Sequence, residues 1–211
     1  MYLSLLRIDV HNVRGRTWLA NPYRVHQRLA MAFPDGQSGR VLFRMEAEWQ
    51  PPRILVQCPC MADWRRAFYD HPVLAGEPLQ KELRLCFQPG QRLRFLLRAN
   101  PTARRAAPPA PSAGGNRPLG LRVGLLKEAE QRDWLARKGE GSGFRPLAVD
   151  VRSAGQIVFP RGDGAPKQTH LSVDFQGYLA VDDPDAFART LEAGIGAAKA
   201  FGFGLLSVAP G

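Results

Sequence analysis

Two side chains near the start of the chain, Tyr23 and His26, have the chemistry and spacing of a catalytic pair. Asn21 and Pro22 predict the start of a helix over residues 22–33, because asparagine caps helices and proline suits the first helical position. Residues three positions apart are neighbours on a helix surface. The two side chains are therefore expected to reach one phosphodiester.

The reaction that suits this pair is RNA cleavage in which a 2′-hydroxyl of the RNA attacks the adjacent phosphate. It leaves a 2′,3′-cyclic phosphate and a 5′-hydroxyl. It needs proton transfer and stabilisation of charge on phosphorus, and no water has to be activated by a metal. With an ordinary pKa of about 6.5, His26 can either take the 2′-hydroxyl proton or protonate the leaving 5′-oxygen. A lone histidine beside an apolar helix stripe is more often structural. Spacing alone therefore leaves both a catalytic and a structural role open for His26.

Composition indicates the kind of partner. The 211 residues include 29 lysines and arginines against 19 aspartates and glutamates, a net charge of +10. Arginine makes bidentate contacts with phosphate and stacks on bases, so this excess favours a nucleic acid. Three cysteines, an odd number, indicate reduced thiols and a cytoplasmic protein. No apolar run approaches the roughly 20 residues that span a bilayer, so no membrane partner is expected.

The elements that must position the pair follow one another in two similar rounds. The first round predicts strands and helices in the order βαββαβ, at residues 2–10, 22–33, 40–46, 53–57, 63–69 and 82–87. The second predicts the same kinds of element at residues 92–99, 127–138, 147–151, 156–159, 170–181, 184–198 and 203–208. That order is the ferredoxin-like unit. We therefore predict an α+β fold with two tandem ferredoxin-like domains, residues 1–88 and 89–211.

Three segments of the second domain are candidates for RNA contact. Residues 101–118 are rich in proline, glycine and alanine and are predicted to be a mobile loop. A basic hairpin is expected near residues 156–170. Residues 194–204, the glycine-rich loop, hold four glycines and one lysine, which lets the backbone approach a phosphate closely. The alternative is a turn in which the glycines only permit tight packing.

Three motifs resemble those of the CasE (Cse3) endoribonucleases, which process CRISPR repeat RNA in type I-E systems. They are residues 21–29 (NPYRVHQRL), 92–101 (RLRFLLRANP) and 194–210 (GIGAAKAFGFGLLSVAP). The resemblance implies ferredoxin-like domains of the RAMP type and cleavage at the 3′ base of the repeat hairpin, with His26 and Tyr23 as catalytic residues. It also implies that the product stays bound and that other Cascade subunits are partners.

No metal and no small-molecule cofactor is expected. The resemblance implies metal-free cleavage. Cys58 and Cys60 are too closely spaced, and lack a second ligand pair, for a zinc site. The rival function is a non-catalytic RNA-binding subunit of a ribonucleoprotein complex, which positive charge and a ferredoxin-like fold suit equally well.

The candidate RNA contacts are basic residues in or near the three motifs and segments, together with two loop glycines. They are Arg24, Arg28, Arg98, Arg104, Arg105, Arg117, Arg122, Arg161, Lys167, Lys199, Gly194 and Gly196. The hairpin is more lightly charged than that of the resembled family, and Arg104, Arg105, Arg117 and Arg122 are the candidates to substitute for it. The other histidines, His11, His71 and His170, are interpreted as structural or surface residues. Among them His170 has the strongest case for a functional role, because it sits beside the basic hairpin.

Overall fold

The structure is a computed structural model that describes residues 1–33, 39–105, 121–160 and 165–211, with the backbone alone of Arg105 and Leu121. Residues 106–118 of the predicted mobile loop lie outside this description, as do Arg117 and Arg161. No helix in the described part of the chain is long and apolar enough to cross a membrane.

The first part of the chain forms one antiparallel sheet with its helices packed on one side. Its elements are β1 (Tyr2–Arg7), α1 (Val13–Leu19), α2 (Pro22–Ala30), β2 (Leu42–Glu46), β3 (Arg53–Cys58), α3 (Trp64–Phe68) and β4 (Leu79–Glu82). The strands lie in the order β2-β3-β1-β4. A sheet with the first and third strands at its centre is the ferredoxin-like arrangement.

The second part repeats this arrangement. Its elements are β5 (Arg92–Ala99), β6 (Thr102–Arg105), β7 (Leu121–Gly124), α4 (Glu128–Glu140), β8 (Phe144–Pro160), β9 (Lys167–Val181), α5 (Pro184–Ala193), a 3-10 turn (Lys199–Phe201) and β10 (Leu206–Pro210). The four-stranded sheet has the order β10-β5-β9-β8, and β6 and β7 form a separate two-stranded ribbon. The predicted fold class is therefore confirmed, with the ribbon inserted between the first strand and first helix of the second unit.

Several elements differ from the sequence prediction. Helix α1 was not predicted, and β4 ends at Glu82 where a strand over 82–87 was expected. Tyr2, at the start of β1, pairs with Glu82, at the end of β4, and β1 is the strand beside β4 in the described sheet. Residues 83–87 alternate like a strand but pair with no strand in the part of the chain that the structure describes.

The predicted mobile loop over residues 101–118 is wrong at its start. Residues 102–105 form β6, which pairs with β7 in antiparallel register. The amide N–H of Leu125 donates to the carbonyl of Pro101 at 2.9 Å and closes the ribbon at its base. The composition that indicated a loop belongs mainly to the residues beyond Arg105.

Two further boundaries were misjudged because of glycine. Strand β8 is one continuous strand, where two strands were predicted around Gly155. Gly155 is absorbed into a β-bulge with a φ of 83°, which keeps the ladder with β9 intact. Helix α5 ends at Ala193 instead of continuing to 198, because Gly194 has a φ of 72° and terminates it.

Each sheet has its own hydrophobic core. The first core contains buried residues between Leu6 and Val73, including Val25 and Leu29 of α2. The second contains buried residues between Leu93 and Leu206. The buried members of each core lie on their own side of residue 88, but Phe87 packs against the second core, 4.9 Å from the ring of Phe187. The division into 1–88 and 89–211 stays a proposal.

Hydrogen bonds between charged and polar groups join the two sheets. The Arg44 guanidinium donates to Ser207 Oγ at 2.9 Å, and Gln57 Nε2 donates to the carbonyl of Leu191 at 2.6 Å. Arg98 on β5 donates to the carbonyl of Met45 on β2 at 2.5 Å. The first and second units are thus held in a defined relation at β2, next to the glycine-rich loop.

Candidate active site

Helix α2 is fixed at its start by Asn21. The Asn21 side-chain oxygen accepts hydrogen bonds from the backbone N–H of Tyr23 at 3.1 Å and of Arg24 at 3.3 Å. Asn21 Nδ2 donates to the carbonyl of Pro160, at the end of β8, at 3.3 Å. One side chain therefore caps the helix and ties it to the second unit.

His26 lies half-buried on α2, one position after the fully buried Val25. Burial lowers the pKa of His26 below its ordinary value of 6.5, because the charged imidazolium is disfavoured away from water. Its Nδ1 is buried and has no hydrogen-bond partner among the residues that the structure describes. At neutral pH the ring is therefore uncharged and able to accept a proton.

Tyr23 is half-buried and packs against the glycine-rich loop. Its ring centroid lies 6.4 Å from that of Phe201, which belongs to the 3-10 turn. Phe201 in turn lies 4.9 Å from the rings of both Phe159 and His170. The candidate pair is thus located where the first unit meets the second. Reasoning from the sequence missed these aromatic contacts; the glycine-rich tail was the only signal that could have indicated them.

The glycines of this loop are needed for packing. Gly194 has a φ of 72°, and a Cβ there would lie 2.8 Å from the side chain of Leu42 on β2. Gly204 has a φ of 87°, and a Cβ there would lie 2.7 Å from the carbonyl oxygen of Ile195. Close approach to protein backbone and side chains accounts for both residues. Phosphate contact by the Gly194 or Gly196 backbone stays a prediction.

Lys199, a predicted phosphate contact, has a partner within the protein. Its ammonium donates to the carbonyl of Ala193, at the C-terminus of α5, at 2.8 Å. Burial lowers the pKa of Lys199, and the charges of Arg40 and Lys138 lower it further. A cation at this helix end satisfies a free carbonyl and complements the helix dipole.

Two of the predicted arginines are also engaged within the protein. Arg28 pairs with Asp70 at 2.7 Å and donates to the carbonyl of Ala67 at 3.1 Å, which joins α2 to α3. Arg98 makes two hydrogen bonds to Asp174, at 2.7 and 2.9 Å, besides its bond to β2. Burial would lower the pKa of Arg98, but the hydrogen bond and charge of Asp174 outweigh it and raise that pKa.

Other predicted cations are exposed. Arg104 on β6 and Arg122 on β7 face each other directly across the ribbon. Like charges at opposed positions repel, so this pairing suits a surface that receives an anion. Arg24 on α2 and Lys167 at the start of β9 are exposed as well. Of Arg105 only the backbone is described, opposite Leu121.

Cys58, the first of the two neighbouring cysteines, does not have the properties of a thiolate. Cys58 is buried, and its thiol donates to the carbonyl of Cys60, with a sulfur–oxygen distance of 3.1 Å. Burial, together with the charge of Cys60, raises the pKa of Cys58 to about 12. A thiol that stays protonated at neutral pH is a poor metal ligand and nucleophile.

Comparisons with known proteins agree with this arrangement. A family model described as "CRISPR associated protein" matches residues 1–210. The chain is 37% identical to the CRISPR-associated endoribonuclease Cse3 of Thermus thermophilus and 34% identical to the CRISPR system Cascade subunit CasE of Escherichia coli, and each alignment covers 100% of both chains. A solved structure of the CRISPR endoribonuclease Cse3 bound to a 19-nucleotide RNA matches with a TM-score of 0.84 and 34% identity over 100% of both chains. The chain therefore belongs to the Cse3/CasE family of CRISPR-associated proteins.

Proposed function

We propose that this chain is an endoribonuclease that binds CRISPR repeat hairpins and cleaves precursor CRISPR RNA at the 3′ base of the stem. The observation that carries the proposal is the position of Tyr23 and His26, three residues apart and both half-buried on α2, with Tyr23 against Phe201 of the glycine-rich loop. Full-length relatives that carry the names endoribonuclease and Cascade subunit support it.

In the proposed mechanism His26 acts on the 2′-hydroxyl. The neutral imidazole, favoured by burial, takes the hydroxyl proton as the 2′-oxygen bonds to phosphorus. The bond from phosphorus to the 5′-oxygen breaks, and the 5′-oxygen takes a proton from water and leaves as a hydroxyl. The His26 imidazolium returns its proton to water, which restores the neutral ring. Tyr23 donates a hydrogen bond to a phosphate oxygen and stabilises the charge that develops there. None of these steps requires a metal ion.

We infer that the RNA contacts come mainly from exposed cations. Arg104 and Arg122 form one pair across the ribbon, and Arg24 and Lys167 lie on α2 and at the start of β9. Arg105, Arg117 and Arg161 complete the proposed basic surface on the strength of their charge and position in the sequence. Arg28, Arg98 and Lys199 instead stabilise the fold through their own ion pair or carbonyl partners.

The catalytic assignment has a direct test. Purified protein with a repeat RNA in EDTA should give a product that ends in a 2′,3′-cyclic phosphate, and His26→Ala should abolish cleavage while binding persists. An RNA with a 2′-deoxy nucleotide at the cleavage position should bind equally well and stay intact. Cleavage by His26→Ala at the rate of the unmodified protein would rule out a catalytic role for His26. A requirement for magnesium would contradict the metal-free mechanism.

The same experiment separates the enzyme from its rival, a non-catalytic RNA-binding subunit. Binding of the hairpin without any cleavage by the unmodified protein would favour the rival. We further propose that the enzyme keeps its product and joins Cascade, as the name of the Escherichia coli relative suggests. We expect it to work in the cytoplasm, where its three free thiols stay reduced.

A further inference from the structure

We propose that His170 is a positioning residue for RNA cleavage, and that it acts on Tyr23 through the ring of Phe201. The inference rests on the proposed function, because it assumes that Tyr23 takes part in cleavage. His170 lies on β9 of the second unit, and Tyr23 lies on α2 of the first. A chain of aromatic contacts connects them across the junction.

Phe201 lies between the two residues. Its ring stacks on His170 with centroids 4.9 Å apart and an interplanar angle of 29°, and it meets Tyr23 at 6.4 Å. Phe159 contacts both His170 and Phe201, at 5.7 and 4.9 Å. Phe201 belongs to a short turn with left-handed residues on both sides, and these rings pack against its side chain. A shift of the stack would therefore move the surface on which Tyr23 rests.

His170 is held in place by a polar contact that phenylalanine could not make. Its Nδ1 lies 3.1 Å from the Nδ2 of Asn100, a buried residue that directly follows β5. The amide donates to Nδ1, which leaves the proton of the neutral ring on Nε2. One hydrogen bond thus fixes the position and the tautomer of the ring that supports Phe201.

Apart from this hydrogen bond, the contacts of the His170 ring are with aromatic side chains. The imidazole lies 4.9 Å from the ring of Phe201, 5.7 Å from that of Phe159 and 6.2 Å from that of Phe203. Nε2 of His170 is buried among the described residues. Stacking on Phe201 at a defined angle, with Asn100 as the anchor, is the role that these contacts support.

The test is a double-mutant cycle on the full-length protein, read as the single-turnover cleavage rate at saturating protein. His170→Ala should slow cleavage on the order of 10-fold, since small displacements of reacting groups carry costs of this size. It should leave the dissociation constant for the repeat RNA unchanged. In a Tyr23→Ala background the same substitution should change the rate by less than about twofold, because the residue it positions is gone.

Two further variants keep the test free of folding effects. His170→Phe keeps a ring against Phe201 but loses the hydrogen bond to Asn100, so it should restore only part of the rate that His170→Ala loses. His71→Ala is a matched control, since His71 is also half-buried and packs edge-on against a ring, that of Trp18, at 6.2 Å. It should leave the cleavage rate unchanged in both backgrounds.

The outcomes separate the inference from the proposed function. If Tyr23→Ala is slow but His170→Ala costs the same factor in both backgrounds, His170 has only a structural role. A cleavage rate of His170→Ala equal to that of the unmodified protein would also overturn the inference. If Tyr23→Ala itself cleaves at the full rate, the catalytic role of Tyr23 is wrong and the inference fails with it.

Discussion

Arg98 was predicted to bind RNA, but its contacts predict a loss of stability instead when it is replaced. The side chains of Arg98 and Asp174 are only 20% and 21% exposed, and two hydrogen bonds of 2.7 and 2.9 Å join them. Removing one partner of a buried ion pair costs roughly 3–5 kcal/mol, because the other charge stays buried. With a fifth of each group in water, we expect about 3 kcal/mol for Arg98→Met, or a fall in Tm of roughly 6–12 °C.

Urea unfolding gives the stability change, and RNA affinity measured over a range of salt concentrations tests the other role. Each lost phosphate contact flattens the logarithmic salt dependence by about 0.9. Arg98→Met should leave that slope unchanged, whereas the control Arg104→Gln should flatten it by about one and change stability by less than about 0.5 kcal/mol. A flattened slope and unchanged stability in Arg98→Met would refute the reasoning and restore Arg98 as an RNA contact.

Three other expectations follow from local contacts. Because burial lowers the pKa of His26, kcat/KM should rise with pH and level off with a midpoint below 6.5; a rate that falls over this range would make His26 the acid. Burial would raise the pKa of Glu46, but Arg44 and Arg53 outweigh it and hold that pKa below 4.5. Stability from Glu46 is then present above pH 4.5 and lost as pH falls through the lowered value, so Glu46→Gln should flatten the acid limb of a stability–pH curve. Gly204→Ala should lower the free energy of unfolding by about 1–3 kcal/mol, whereas Gly141→Ala, whose Cβ meets no atom, should leave it nearly unchanged.

Much of the fold was predictable because the chain marks its own boundaries. Strand β5 was predicted over 92–99, where alternating residues separate an arginine-bearing face from an apolar one, and the structure has it there. Asn21-Pro22 and Asp183-Pro184 marked the starts of α2 and α5. In each pair the first side chain caps the helix, and the proline ring fixes φ at a helical value. The errors occurred where glycine has two uses, continuing a strand through a bulge at 155 and ending a helix at 194.

The candidate site was only partly predictable. Helical spacing alone made Tyr23 and His26 neighbours, since that relation lies within one element. The contacts of Arg28 and Arg98 depend on residues 42 and 76 positions away in the chain, and no local pattern indicates such partners. Charge indicated that these arginines were available for RNA; tertiary packing pairs them with Asp70 and Asp174, and their contact with RNA stays a prediction.

The location of the pair at a junction has a consequence for how the site is maintained. Tyr23 and His26 belong to a helix of the first unit, yet the ring beside Tyr23 and the carbonyl bound by Asn21 belong to the second. The position of Tyr23 and His26 relative to the second unit therefore depends on the hydrogen bonds that join the two units. Arg98 on β5 bonds to β2, and Arg44 on β2 bonds to β10. Arg98, which the sequence predicted as an RNA contact, thus has a role within the protein, and its contact with RNA stays a prediction. A strongly basic chain can thus pair several of its arginines with groups inside the protein and still have others exposed for contact with a polyanion.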